Sequence, residues 1–226
     1  MKNESMTGGF GKLKQDLAGM TFRQKAEHLW TYYRSWVIIA GAVVLVLCIL
    51  GSSFINLTTQ TLVAGVSVNL NLEDGVKDYM ITDLEALLKN GEGRQKVYFE
   101  TAFTDAEGSP QDTYYLFQNM LSLMADESLD YMLLDQEGVE LFLSQDPFMD
   151  LRELFTPQEL QSLNIENVKA SPEAEEIPAL VNISDWPVVK QGADSKERCY
   201  FVIVKNTPRL ESVKTAFAHL QGFGAE

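Results

Sequence analysis

The chain has very few of the side chains on which most catalytic and metal sites depend. It contains 2 histidines and 2 cysteines among 226 residues. Cys48 lies in an apolar run and Cys199 opens a strand-like segment, so a bridge between them is not expected. The metal and redox motifs H-E-x-x-H and C-x-x-C and the calcium-binding EF-hand loop do not occur. We therefore expect no metal and no cofactor.

The sequence also offers little for nucleophilic catalysis. His219 is the one histidine after the apolar run, and its neighbours Phe217 and Leu220 are typical of a structural histidine on a helix. No G-x-S-x-G motif accompanies it. Cys199 has apolar neighbours, where a thiol is inert. The chain is predicted not to be an enzyme.

Basic residues are scarce after the N-terminal segment. Residues 1–35 hold 6 of the 18 Lys and Arg and 3 of the 32 Asp and Glu, a formal charge of +3. The rest of the chain holds 12 basic and 29 acidic residues, a formal charge of −17. Such a domain repels phosphate backbones, so nucleic acid is excluded as a partner. Acidity of this kind is typical of a solvated surface.

One long apolar run is present, and it has the length of a membrane span. The stretch "WVIIAGAVVLVLCILGSSFI", Trp36 to Ile55, has 20 residues without a charge. As a helix it spans roughly 30 Å, the hydrocarbon thickness of a bilayer. A buried core helix is seldom apolar on every face, and a cleaved signal peptide is shorter and lies nearer the N-terminus. We predict an uncleaved single-pass transmembrane helix over residues 36–57, with the lipid bilayer as a partner.

The flanks of this run predict its orientation. Arg23, Lys25 and Arg34 precede the run, and no Lys or Arg follows it until Lys77. The positive-inside rule then places the N-terminus in the cytoplasm and the C-terminal domain outside. The domains are accordingly predicted as 1–35 cytoplasmic, 36–57 transmembrane and 58–226 extracytoplasmic. Residues predicted at the cytoplasmic membrane interface are Trp30, Tyr32, Tyr33, Arg34 and Trp36.

The segment before the run, "TFRQKAEHLWTYYR", has the period of an amphipathic helix. It is predicted to lie in the headgroup layer. A docking site for a cytosolic partner is the alternative interpretation.

After Thr61, short apolar strands alternate with amphipathic helices. Strands are predicted at 61–70, 95–103, 129–135, 176–183 and 199–206. Helices are predicted at 75–90, 109–126, 137–144, 156–163 and 207–223. The acidic stretch 166–176 is predicted to be a loop. This alternation predicts a single three-layer α/β lobe with a mostly parallel sheet.

Polar side chains follow four of these strands. In a parallel sheet the carboxyl ends of the strands share one edge, and ligands of open α/β sheets gather there. We call this edge the carboxyl-end rim. The residues predicted to bind a ligand on it are Asn71, Asp74, Thr104, Asp105, Asp135, Gln136, Glu137, Ser184, Asp185 and Trp186. Helix caps and solvated turns are the alternative role for these side chains.

The order of parts resembles one lobe of bacterial extracellular solute-binding proteins. The stretches "LDYMLLD", "EGVELFLSQ" and "PFMDLRELF" match a strand, a short helix and a leucine-rich turn of those chains. The stretch "CYFVIVKNTPRLESVKTAFAHL" is similar to the segment that returns to their first lobe. The N-terminal "FRQKAEHLWTYYRSWVIIAG" is similar to the anchor of uncharacterised single-pass membrane proteins of Firmicutes. The chain departs from the pattern between Phe155 and Glu176, where there is no room for a second lobe.

Two functions are compatible with these features. The resemblance implies a membrane-anchored, solute-binding-like module outside the cell, associated with a transporter. The missing second lobe leaves the alternative of a non-catalytic accessory subunit of a cell-envelope complex. That subunit would use the single lobe to bind another protein and would have no small ligand.

Overall fold

The computed structural model describes residues 21, 35, 38–50, 59–91, 93–103, 110–192 and 198–222. The chain divides into two units, Met1–Thr58 and Thr59–Glu226, and each is described by itself.

In the first unit, residues 38–50 are helical and their side chains are exposed. The rest of the predicted span, residues 36–37 and 51–57, lies outside the described residues. Among the residues that are described, no helix combines the length and the apolar character needed to cross a membrane. The predicted interface residues Trp30, Tyr32, Tyr33, Arg34 and Trp36 also lie outside the described part of the chain.

The second unit is built on one six-stranded sheet. Its strands are β1 (Thr59–Val68), β2 (Arg94–Ala102), β3 (Tyr131–Asp135), β4 (Ile165–Val168), β5 (Ile177–Asn182) and β6 (Cys199–Ile203). Their order across the sheet is β2-β1-β3-β6-β5-β4. β6, which follows the other five described strands in the sequence, therefore lies in the interior of the sheet.

Six α-helices connect and flank these strands in the described ranges. They are α1 (Asp74–Leu88), α2 (Pro110–Ala125), α3 (Gln136–Leu143), α4 (Pro157–Gln161), α5 (Pro187–Gly192) and α6 (Leu210–Gly222), and Leu151–Glu153 forms a turn of 3-10 helix. The start of α4 shows how the local sequence determines where a helix begins. The Thr156 hydroxyl accepts the Glu159 N–H, the Glu159 carboxylate accepts the Thr156 N–H, and Pro157 occupies the first turn.

The sheet is mixed, so the prediction of a mostly parallel sheet is wrong. β1 runs parallel to β2 and β3, whereas the pairs β3–β6, β6–β5 and β5–β4 are antiparallel. A parallel connection needs a crossover of a dozen or more residues. Only residues 169–176 separate β4 from β5, so these two strands can pair only as antiparallel neighbours. The predicted loop at 166–176 is also corrected, because β4 occupies its first residues.

Both faces of the sheet carry a hydrophobic core, which confirms the three-layer α/β architecture. β3 and β6 are buried along their whole length. Their alternate side chains divide between two clusters, because neighbouring residues of a strand point to opposite faces. Leu133 and Phe201 pack with residues of α1, α5 and α6 on one face. Met132 and Tyr200 pack with residues of α2 and α3 on the other.

Candidate functional site

The carboxyl-end rim exists although the sheet is mixed. β5 is antiparallel to β6, and β6 is antiparallel to β3, so β5 runs in the same direction as β3. The register places Asp135 opposite Cys199, and the Ile183 N–H donates to the Cys199 carbonyl at 2.8 Å. The ends of β3 and β5 therefore meet at one edge, together with the end of β1.

Asp135 lies at the centre of this rim and is 7% exposed. Its Oδ1 accepts the Gly138 N–H at 2.7 Å, and it also accepts Nδ2 of Asn69 at 3.2 Å. The first bond caps the N-terminus of α3, where main-chain N–H groups have no partner within the helix. The second ties the cap to the residue that follows β1. Asp135 therefore starts α3 and holds the end of β1 against it.

Gln136 and Glu137 follow in the first turn of α3, and both are exposed. Gln136 Oε1 lies 3.1 Å from the Tyr200 hydroxyl, and the same hydroxyl lies 3.1 Å from Glu166 Oε2. Burial raises the pKa of Tyr200, with Glu166 adding to this effect and the Arg198 hydrogen bond opposing it. The phenol thus stays neutral and can donate to either oxygen. The Tyr200 hydroxyl thus links Gln136 on the rim to Glu166 of β4, the strand that lies in the segment predicted to be a loop.

The residues after β5 are also held by internal contacts. Ser184 donates from its hydroxyl to Asn182 Oδ1 at 2.7 Å, and its Oγ accepts the Cys199 N–H at 2.9 Å. Asp185 is largely exposed and pairs with Lys190 at 2.8 Å, which lowers the pKa of its carboxyl. The Trp186 ring packs edge-on against Phe217, with centroids 5.1 Å apart.

The remaining predicted residues are exposed or outside the description. Asn71 and Asp74 follow β1 and are exposed. Asp74 pairs with Lys77 at 2.8 Å, and this hydrogen bond lowers the pKa of its carboxyl. Thr104 and Asp105 lie outside the described residues.

Three of the predicted acids on the rim therefore have defined partners within the fold. Asp135 accepts main-chain and amide N–H groups, while Asp74 and Asp185 each pair with a nearby lysine. In the described ranges, no group of three or more His, Cys, Asp or Glu side chains is arranged to hold a metal ion. The geometry of these acids is that of helix caps and surface ion pairs.

The most highly connected buried acid is one that the sequence did not single out. Asp130 is fully buried directly before β3. Its Oδ2 accepts the Ala64 N–H at 2.7 Å and Arg209 Nε at 2.8 Å, and its Oδ1 accepts the Thr207 hydroxyl. Asp130 thus joins β1, β3 and the start of α6. An acid beside an apolar strand carries no distinguishing signal in a chain with this many acids.

A second feature that the sequence reasoning missed is an apolar cleft between α2 and the strands β1 and β2. It has a volume of about 240 Å³, and Tyr98, Met120, Leu123 and Leu129 are among its lining residues. Leu129 precedes β3, so the cleft lies toward the amino end of that strand and away from the rim.

Exposed aromatic side chains lie on β2, directly after β2 and on α2. Tyr98 is 43% exposed on β2, Phe103 is 50% exposed just after it, and Tyr114 and Tyr115 on α2 are 57% and 59% exposed. The Tyr114 and Tyr115 rings contact each other edge-on, with centroids 6.2 Å apart. We call Tyr114 and Tyr115 the aromatic surface.

Comparisons with known proteins do not assign the chain to a family. No family model matches the sequence, and no curated protein matches it. One solved structure, a cysteine-to-serine mutant of OxyR from Corynebacterium glutamicum with bound hydrogen peroxide, is 12% identical and aligns over 98% of this chain and 86% of that one, with a TM-score of 0.27. A score this low carries no argument about fold or function. The candidate sites therefore depend on the residues of this chain alone.

Proposed function

We propose that the protein is a membrane-anchored, non-catalytic accessory module that binds another protein of the cell envelope. In this proposal residues 36–57 are a single-pass anchor, residues 1–35 lie in the cytoplasm and residues 58–226 lie outside the membrane. The uncharged run and the basic residues before it support the anchor and its direction.

The observation that carries the proposal is the aromatic surface. Tyrosine and phenylalanine are enriched in protein interfaces, where a flat ring buries a large area and loses little side-chain entropy. Tyr114 and Tyr115 are adjacent, more than half exposed, and placed on one turn of α2. In an otherwise acidic domain, exposed aromatic side chains of this density favour contact with a protein.

A small solute is the second candidate, and one observation favours it. The ends of β1, β3 and β5 meet at one edge, which is where ligands bind in open α/β sheets. The internal partners of Asp74, Asp135 and Asp185 weigh against a ligand there.

Affinity purification of the full chain tests the protein partner. A tagged chain is extracted in mild detergent after brief cross-linking, and the co-purifying proteins are quantified. We expect a stoichiometric partner with the parent chain and its loss with Tyr114→Ser/Tyr115→Ser. The matched control is Asp185→Asn, which changes an exposed side chain on the rim and should retain the partner. Equal recovery by the double tyrosine variant contradicts the proposal.

A melting screen of the same purified chain separates the two candidates. Sugars, amino acids and short peptides are expected to leave the melting temperature unchanged. A ligand that binds the folded state raises it in proportion to the logarithm of its concentration over Kd. A rise with one solute class that Asp185→Asn or Glu137→Ala removes would establish the solute candidate instead.

Protease accessibility on intact cells tests the orientation. Protease added outside should digest the C-terminal domain and leave an N-terminal tag protected. Loss of the N-terminal tag with an intact C-terminal domain would show that the proposed direction is reversed.

A further inference from the structure

The strand β2 lies at one end of the sheet. Within the described residues it pairs with β1 only, and its nine residues, Arg94–Ala102, contain no proline. The strand at the opposite end, β4, has four residues. Natural proteins shorten or interrupt edge strands because a long regular edge is a template for pairing with another chain. β2 has nine residues, and the burial of its side chains alternates without a break from Arg94 to Glu100, although its pairing with β1 shifts register once between Thr61 and Val63. Its long outer edge therefore requires an explanation.

Two hydrogen bonds show which main-chain groups of β2 point outward. The Ala102 carbonyl accepts the Asn69 N–H at 2.9 Å, so the even-numbered residues face β1. The Val97 N–H reaches the Glu85 carboxylate of α1 at 3.3 Å, so the odd-numbered residues face away from β1. Successive residues alternate in this way along a strand. Gln95, Val97, Phe99 and Thr101 therefore present N–H and C=O groups to the outer edge.

The side chains of β2 divide between the two faces in the same alternation. Those of Gln95, Val97 and Phe99 are buried beneath α1, whereas those of the even-numbered residues from Arg94 to Glu100 are exposed. The exposed series reads basic, basic, aromatic, acidic, in the order Arg94, Lys96, Tyr98, Glu100. Lys96 and Glu100 lie at equal distances from Tyr98 along the strand, so a second copy running in the opposite direction places a basic residue opposite an acidic one.

We propose that two copies of this chain associate through β2, paired antiparallel about a two-fold axis at Tyr98. In this register all nine residues pair. Val97 faces Phe99 of the second copy and exchanges both main-chain hydrogen bonds with it. On the exposed face, Lys96 lies opposite Glu100 of the second copy, and Tyr98 lies opposite Tyr98. The two sheets then form one continuous sheet across the dimer.

The length of the strand selects this register over its neighbours. An axis at Val97 places Arg94 opposite Glu100 but leaves Thr101 and Ala102 without a partner in the second strand. An axis at Phe99 places Tyr98 opposite Glu100 and leaves Arg94 and Gln95 without one. The axis at Tyr98 pairs all nine residues and forms the Lys96–Glu100 pair twice. Opposite charges directly across a sheet attract and like charges repel, so this pair adds to the contact.

The contact from α1 does not prevent this pairing. Glu85 holds the Val97 N–H at the long distance of 3.3 Å and retains Lys89 as a partner at 2.5 Å. In the dimer the Phe99 carbonyl of the second copy would accept the Val97 N–H in place of the Glu85 carboxylate. Glu85 would still pair with Lys89. Since each copy carries a formal charge of −14, association should be measured at about 0.15 M salt, where charges more than about 8 Å apart are screened.

Disulfide trapping on the full chain tests the axis. Tyr98 belongs to a pair without mutual hydrogen bonds, whose Cα atoms lie about 4.5 Å apart, within the range that a disulfide spans. The background variant Cys48→Ser removes the exposed native thiol, and Cys199 is buried. Under mild oxidation in detergent, Tyr98→Cys should convert most of the chain to a covalent dimer. The matched control Tyr115→Cys, an exposed tyrosine on α2, should stay monomeric.

Two further cysteine variants test the register. Lys96→Cys and Glu100→Cys should each fail to link alone, because each lies several residues from its own copy across the axis. Co-expressed, they should link to each other. A dimer from Lys96→Cys alone overturns the proposed alignment.

Charge reversal at Lys96 and Glu100 tests the pairing at positions other than the cross-linked residue. In the Tyr98→Cys background, Lys96→Glu or Glu100→Lys places like charges opposite each other and should lower the dimer yield several-fold. The two changes together should restore it. The proposal is overturned if Tyr98→Cys gives no more dimer than Tyr115→Cys at an unchanged melting temperature, or if the double reversal does not restore the yield. The inference uses β2 alone, so it is independent of the partner bound by Tyr114 and Tyr115.

Discussion

At the scale of single residues, an aspartate stands at each end of β3. Asp130 precedes the strand and Asp135 is its last residue, and both are buried and accept main-chain N–H groups. The sequence directed attention to Asp135, because acids at carboxyl ends of strands are common ligand residues. The structure assigns the larger set of internal contacts to Asp130, whose partners are distant in sequence and invisible to local patterns.

Asp130→Asn should destabilise the domain strongly. The change removes the negative charge that Arg209 contacts at 2.8 Å, and the Arg209 side chain is 22% exposed. Removing one member of a buried ion pair costs about 3 kcal/mol or more, because the remaining charge loses its compensation. Urea unfolding of the parent chain and variant measures the difference.

The control for this experiment is Asp146→Asn. Asp146 pairs with Lys205 at 2.6 Å, and both side chains are about half exposed. Such a surface pair contributes less than about 1 kcal/mol. Similar losses for the two variants would show that Asp130 is not a structural centre.

Asp135→Ala should cost about 1 kcal/mol through loss of the α3 cap. The matched control Glu137→Ala, at an exposed position two residues later, should leave stability within about 0.5 kcal/mol of the parent chain. Thermal unfolding followed by far-UV circular dichroism measures both. If Asp135→Ala leaves the unfolding curve unchanged, the cap is not its role and the solute candidate gains support.

At the scale of elements, the packing of the Tyr131 side chain of β3 against β1 depends on the absence of a side chain at Gly65. A Cβ built on Gly65 would lie 2.3 Å from Cζ of Tyr131, closer than atoms in contact can approach. The Tyr131 ring is fully buried and stacks on Phe201 at 5.1 Å, so it has no room to move. The absence of a side chain at Gly65 is what allows the ring to lie across the strand.

Gly65→Ala should therefore destabilise the domain by about 3 kcal/mol, at the upper end of overpacking changes. Gly75→Ala in α1 is the matched control, because nothing lies within 4 Å of its added Cβ. Denaturant unfolding should show a large loss for the first variant and little change for the second. Comparable unfolding midpoints would mean that the sheet adjusts to the added methyl group.

The contact between α4 and α6 is sensitive to acid. Lys214 lies 2.9 Å from Glu159, and this hydrogen bond, with those of Thr156, lowers the pKa of the Glu159 carboxyl from 4.5 to about 2. A lowered pKa means that the stabilising contact is complete above about pH 4.5 and is lost as the pH falls toward 2. NMR titration of the side chain should give a midpoint near 2 in the parent chain. Lys214→Ala should move it back toward 4.5, and a parent midpoint already near 4.5 would contradict the contact.

Local sequence patterns predicted the elements well and their directions poorly. The strands and helices from β1 to α3 begin and end within two residues of the predicted bounds, because their apolar periods are long and their caps are marked. β4 was missed because its four residues, Ile165–Val168, are only partly buried. Direction depends on which strands pair across the chain, and no residue of β6 indicates that it runs against both of its neighbours.

At the scale of the whole molecule, the carboxyl-end rim exists although the prediction of a mostly parallel sheet is wrong. A mostly parallel sheet would bring all the strand ends to one edge. The actual sheet brings β5 to the same edge through two successive reversals, β3 to β6 and β6 to β5. The geometric expectation for Asp135 and Ser184 is therefore met for a different physical reason. Their internal hydrogen bonds could not be predicted, because they depend on Asn69 and Cys199, which are far away in sequence.

The central position of β6 has a consequence for how the chain is made. β6 lies between β3 and β5, yet it follows the other five described strands in the sequence. Until residues 199–203 leave the ribosome, the strands β2-β1-β3 and the hairpin β4–β5 have no shared hydrogen bonds within the sheet. Chains arrested before residue 199 should therefore be protease-sensitive, and chains extended past α6 should be resistant. The two parts of the sheet are therefore expected to form one protease-resistant core only after β6 has been added between them.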